Sequence, residues 1–253
     1  MANYHPADEL LMQFAAGQLT NALGIQTACH LESCQQCQHK VRLYEQLGGD
    51  LIDISTPTDV EPDAKSRLLT NLHKLRADSA KTSTASHNAA TKNAATDNTM
   101  THNTVTNNTD VIEDLDELYK KQLSGANQRL PRPLRRFLPD YYENLPWSGF
   151  SKSIQSYDLP FSDDQYTARF YKIAAGSELP QHTHRGNEFT LVMSGSFSDL
   201  SGDYNPGDFV LADSSTHHQP RAHEKEDCIC FAVTDAPLKM TGFFGRMLNP
   251  FLK

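Results

Sequence analysis

Two short stretches of this 253-residue chain gather the side chains that bind transition metals. The first reads His30-Leu-Glu-Ser-Cys34-Gln-Gln-Cys37. On a helix advancing about 100° per residue, separations of four and of seven return to nearly the same azimuth. His30, Cys34 and Cys37 are therefore expected to converge on one ion near a helix start. Imidazole and thiolate together are a zinc ligand set, and structural zinc takes four protein ligands in a tetrahedron. The fourth lies outside the motif: His5, just before the first helix, is the candidate, with Cys29 and His39 as alternatives. The second stretch reads Gly176-x₅-His182-x-His184-x₃-Glu188-x₆-Gly195. Residues two apart on a strand face the same side, so His182 and His184 point at one ion, and Glu188 reaches back after a turn. A histidine after Pro206-Gly207-Asp208, either His217 or His218, would complete the set. Three imidazoles and a carboxylate suit zinc, iron, manganese or nickel, so the ligands alone do not choose the metal.

The elements around the first stretch are helical. Leu10, Leu11, Phe14, Ala15 and Leu19 recur on one face, a second helix is expected over residues 32–47 with a stop at Gly48-Gly49, and a third begins near Pro62. That third helix places Ala64, Leu68, Leu72 and Leu75 on one stripe. So few short helices make a marginal core, and small domains often need a staple. Cys34 and Cys37 as mere small residues in a helix interface would leave that need unmet. Residues 79–110 are Ala, Thr, Asn and Ser with almost nothing large and apolar, which reads as a flexible linker. Residues 111–123 follow as a short helix candidate. From about Trp147 onward, alternation in Ala168 to Ile173, Phe189 to Val192 and Cys228 to Val233, punctuated by glycines, predicts many short strands and an all-β barrel or sandwich. Cys228 and Cys230 share a strand face and read as buried small residues. The tail from Phe243 to Leu252 has the apolar spacing of a helix packed on that β domain.

The expected architecture is thus multi-domain: an all-α zinc-bound bundle over residues 1–78, a linker with a short helix over 79–125, and an all-β domain over 126–253. The net charge is −8, hydrophobic residues are 38%, and no basic block matches a nucleic-acid footprint, so direct nucleic-acid binding is not expected. Residues 1–14 lack a basic segment followed by an apolar one, and no run reaches the roughly 18 apolar residues of a membrane span. Three of the five cysteines crowd into positions 29–37, which fits metal ligation in a reducing compartment better than disulfides. A cytoplasmic protein without membrane attachment is the expectation.

The first stretch resembles the zinc-binding anti-sigma family, through His5-Pro-Ala-Asp-Glu-Leu-Leu, Ala15-Ala-Gly17 and the His30/Cys34/Cys37 motif. The second resembles the cupin family, although Asp213-Ser-Ser stands where Pro-x-Gly is common. The spacing of the usual second cupin motif favours His218 over His217. A zinc anti-sigma module followed by a cupin resembles the ChrR-type anti-sigma factors over nearly the whole chain. Residues 79–110 look like an insertion. The resemblance implies that His5 completes the first zinc site and that the cupin also binds zinc. It further implies that the helical domain holds an extracytoplasmic-function sigma factor and releases it in response to singlet oxygen or related oxidants, with the cupin as sensor. The rival reading is a metal-dependent cupin enzyme of dioxygenase type. No general acid or base stands near the motif beyond the ligands, and a fold alone does not establish activity, so the chain is expected not to be an enzyme.

Overall fold

The computed structural model describes residues 2–87, 128–149, 151–236 and 238–240. The candidate helix at 111–123, the tail helix and most of the linker lie outside the described residues. Residues Met1–Ile52 and Thr109–Lys253 form one compact unit, and Asp53–Asn108 a second.

In the first unit, α1 (Asp8–Ala15) starts with Asp8 and Glu9 in its first turn, where carboxylates meet the positive helix end. It ends before Gly17, whose φ of 66° turns the chain away. Next come α2 (Asn21–Ser33) and α3 (Gln35–Asp53). Between them Cys34 takes φ −104° and ψ 96°, an extended residue that breaks the helix. The expected helix over 32–47 is therefore corrected at both ends. It begins only at Gln35, and Gly48 and Gly49 do not stop it because neither adopts the left-handed conformation of a C-cap.

The β region carries a five-stranded sheet in the order β1 (Ile154–Asp158), β2 (Thr167–Ile173), β10 (Cys228–Thr234), β4 (Glu188–Ser194), β7 (Phe209–Ala212). A second sheet orders β11 (Leu238–Met240), β3 (His182–His184), β8 (His217–His218). A third orders β6 (Asp203–Tyr204), β5 (Phe197–Ser198), β9 (Arg221–Ala222). The registers within the named strands are antiparallel, and the three expected alternating segments became β2, β4 and β10. Strand β10 is buried along nearly its whole length, as the central strand of a covered sheet must be.

Helix α2 covers that sheet. Leu10, Ala22, Leu23 and Cys29 share one core with Leu134, Phe170, Leu191 and Phe231. Fully buried Gln26 sends its amide N–H groups from α2 to the carbonyls of Phe189 (2.8 Å) and Phe231 (2.6 Å) on neighbouring strands. Glu32 accepts the Arg132 amide at the start of α5 (Arg132–Arg135), with oxygens 3.0 and 3.1 Å away. The helices around the first metal motif and the β region thus share apolar core as well as sequence.

In the second unit, α4 (Ala64–His87) begins near Pro62 as expected but continues past Ser79. Residues 79–87 contain neither glycine nor proline, and propagating an existing helix is far easier than starting one.

Candidate metal centres

His5, His30, Cys34 and Cys37 place one ligand atom each within 4.8 Å of one another. Contrary to the single-helix geometry expected from the spacing, three elements supply the last three. His30 sits in the last turn of α2, Cys34 at the break, and Cys37 in the first turn of α3. Breaking the helix turns both thiols toward His5, whose Nδ1 lies 3.3 Å from Cys34 Sγ and 3.4 Å from Cys37 Sγ. A tetrahedron with zinc–ligand bonds of about 2.0–2.3 Å has edges of about 3.3–3.8 Å, so these separations fit. Of the alternatives, Cys29 packs into the hydrophobic core and His39 is exposed.

The polar atoms apply a stricter test. His30 donates its Nδ1 proton to the Gly207 carbonyl at 2.8 Å, which leaves Nε2 as a bare lone pair. That Nε2 is buried with no hydrogen-bond partner in the protein. Burial, the largest effect, also lowers the pKa of His30, holding the ring neutral. Burial pushes the Cys37 thiol up to about 12, with the Cys34 hydrogen bond adding to it. A thiolate there needs a cation. An unpaired imidazole nitrogen close to two cysteine sulfurs is what a structural metal satisfies.

The second cluster is borne on strands. His182 and His184 lie two apart on β3, and His218 lies opposite His182 across the ladder to β8. The Nε2 of His218 is 3.0 Å from His182 Nε2 and 3.1 Å from His184 Nε2. His217 is exposed and His218 buried, so His218 is the one turned inward. His182 donates Nδ1–H to the Pro180 carbonyl at 2.8 Å, and His218 donates Nδ1–H to Asp199 Oδ2 at 2.8 Å. Both rings then present lone pairs to each other at hydrogen-bond distance, a contact that repels unless a cation lies between them. Burial lowers both His182 and His184 to a pKa of about 4, which keeps those two rings neutral near pH 7.

Glu188 stands beside this trio rather than within its tight group. Its Oε2 lies 3.8 Å from His184 Nδ1, and neither atom has a hydrogen-bond partner. Burial raises its pKa to about 7. A cavity of about 310 Å³ opens at the trio and is walled by His182, Glu188, His218, Asp199 and Tyr171 among mostly apolar neighbours. Cys228 and Cys230 are both buried with sulfurs 3.6 Å apart, and Cys230 also lines the cavity.

Sequence reasoning missed three groups beside the candidate ligands: Asp199 and the Gly207 carbonyl, bonded to His218 and His30, and Asp208, bonded to the amides of Asn3 and Tyr4. Only the Asp208 turn had a local signal, in Pro206-Gly207-Asp208.

A helical cluster of two histidines and two cysteines, joined to a strand-borne histidine trio, defines a protein with two candidate metal centres. Residues 141–237 match the family described as the ChrR Cupin-like domain. The likeness extends well beyond that segment. The anti-sigma-E factor ChrR of Cereibacter sphaeroides is 27% identical over 252 residues, covering 99% of this chain and 98% of the relative. The crystal structure of Rhodobacter sphaeroides SigE in complex with the anti-sigma ChrR contains a chain of 26% identity with a TM-score of 0.64. That match covers 93% of this chain and 100% of the other. Over nearly its whole length the chain is similar to these ChrR proteins.

Proposed function

We propose that this chain is an anti-sigma factor that binds and inhibits an extracytoplasmic-function sigma factor. The observation that carries the reading is a pair of solvent-exposed apolar stripes. Leu43, Leu47 and Leu51 follow one face of α3 at four-residue spacing, and Leu68, Leu72 and Leu75 follow one face of α4. Leu47, Leu51, Leu68 and Leu75 lie between 55% and 67% exposed. Apolar surface of this kind marks an interaction site, and an amphipathic helix presents it to a groove or another helix. The two relatives are named for this activity, one of them seen with its sigma factor.

In this reading residues 1–78 hold the partner, 79–125 tether the modules, and 126–253 form the cupin barrel. His5, His30, Cys34 and Cys37 hold one zinc ion as a staple for the helices. His182, His184, His218 and Glu188 hold a second. The protein acts in the cytoplasm, and no helix among the described residues is long and apolar enough to cross a membrane. The cupin senses singlet oxygen or a related oxidant. Release requires that oxidation favour the unbound state, because a signal shifts an equilibrium only by its differential effect. The role is regulatory and not enzymatic.

The test is co-purification with metal analysis. The full chain should bring down a sigma factor and about two zinc ions, and Leu47→Asp with Leu72→Asp should abolish capture while both metals stay. Full capture by that double variant would overturn the reading.

A further inference from the structure

We propose that the turn between β6 and β7 is part of the N-terminal metal site, with Gly207 and Asp208 as positioning residues for His30 and His5. This rests on the reading above that those histidines, with Cys34 and Cys37, hold a metal.

The Gly207 carbonyl accepts the His30 Nδ1 proton and so fixes both the tautomer and the ring orientation. A partner of this kind on the far nitrogen of a ligand histidine also raises its basicity. Gly207 has φ 94°, so the carbonyl points where only a glycine readily allows. Asp208, wholly buried, governs the other histidine through the backbone. Its Oδ1 accepts the amides of Asn3 (2.5 Å) and Tyr4 (3.1 Å), the two residues before His5. Its Oδ2 accepts the Asn205 amide at 2.8 Å, which ties the same carboxylate to the turn. The Phe209 amide then donates to the Tyr4 carbonyl at 3.0 Å. The Tyr4 ring packs on Tyr204 with centroids 4.8 Å apart. His5 therefore leaves from a short segment laced to the turn by two amide-to-carboxylate hydrogen bonds and one backbone–backbone bond.

The other end of this segment meets the second cluster. Asp199, ten positions before Phe209, accepts the His218 Nδ1 proton through Oδ2 and the Ser201 and Gly202 amides through Oδ1. Residues 199–209 thus touch ligands of both centres. Proximity alone does not establish coupling. The geometry makes a definite claim: occupancy of the N-terminal site and order in the turn are linked, and linkage is reciprocal.

The test uses the full chain with cobalt(II) in the N-terminal site, read by the thiolate–cobalt absorption and by competition with a chelator. Asp208→Ala should weaken that site about 10- to 100-fold, the range for outer partners of metal ligands, and alter the band, while the cupin metal stays. Asp208→Asn should recover part of the loss, since its amide oxygen still accepts from Asn3 and Tyr4. Should Asp208→Ala fail to fold, hydrogen exchange on the unaltered chain gives the answer. Stripping the N-terminal metal should expose the amides of Tyr4 and Phe209, and unchanged protection overturns the proposal. Metal bound normally by Asp208→Ala with an unchanged spectrum overturns it too and leaves the metal reading intact. An unaltered chain without any thiolate–cobalt band sinks both.

Discussion

The two clusters reach similar chemistry by opposite routes. The trio is preassembled by strand geometry: period-two alternation aims His182 and His184 together, and ladder register sets His218 opposite His182. The knot has no such scaffold. Its candidate ligands come from a leading segment, a helix end, a helix break and a helix start, and no single element fixes their separations. A lattice of backbone hydrogen bonds can hold a site without its metal, whereas a site assembled from loose ends relies on the metal to assemble it. The strand-borne site should therefore survive loss of its ion, and the knot should not.

The largest expected effect tests that asymmetry directly. Cys34→Ala with Cys37→Ala should remove one metal per chain, free α3 and abolish sigma-factor capture. Zinc binding in small domains contributes on the order of 10 kcal/mol of folding energy. Circular dichroism should show helix loss, while the cupin keeps its metal and its thermal transition. Helices intact after metal removal would erase the contrast. Next, His218→Ala should empty the cupin site with little unfolding, and His217→Ala, at an exposed position, should change neither metal content nor melting temperature. Equal effects of the two would mean that the ladder register is shifted by one residue.

These expectations show what was legible in the chain and what was not. The candidate ligand clusters and the strands β2, β4 and β10 stood out because period-two alternation and metal spacing are local properties of the sequence. Helix α2 did not. Its inward side includes the polar residues Gln26, Thr27 and His30, all fully buried, so the apolar stripe that announces a helix is interrupted where the helix does its work. The break at Cys34 was invisible as well, having neither glycine nor proline beside it. Asp199 has no local signal, and Asp208 shows in the sequence only through the Pro206-Gly207-Asp208 turn. Their carboxylates serve histidines or backbone amides far away in sequence, such as the Asn3 amide, and only the folded chain brings these together.

A smaller effect sharpens the comparison from the strand side. Asp199→Asn keeps the shape but weakens the acceptor for His218 Nδ1–H. Cupin metal affinity should fall about 10- to 100-fold, measured by chelator competition, with the trio still assembled. No change would mean that the ladder alone orients His218.

Gln26 gives the smallest effect and tests whether the knot's helices depend on the cupin for more than hydrogen bonds to the ligands. Its side-chain nitrogen bridges carbonyls of two adjacent strands, while its oxygen is buried without a partner. Gln26→Leu removes two hydrogen bonds but also one unpaired buried oxygen, and the two changes oppose each other. A hydrogen bond contributes roughly 1 kcal/mol net, so a loss of about 1–2 kcal/mol in urea unfolding is expected. Gln26→Glu should cost more, because a carboxylate would face two carbonyl oxygens in a buried site with nothing to donate. The ranking Gln above Leu above Glu is specific to a donor bridging two strands. A glutamate variant as stable as the leucine variant would mean that α2 is held by its apolar contacts alone.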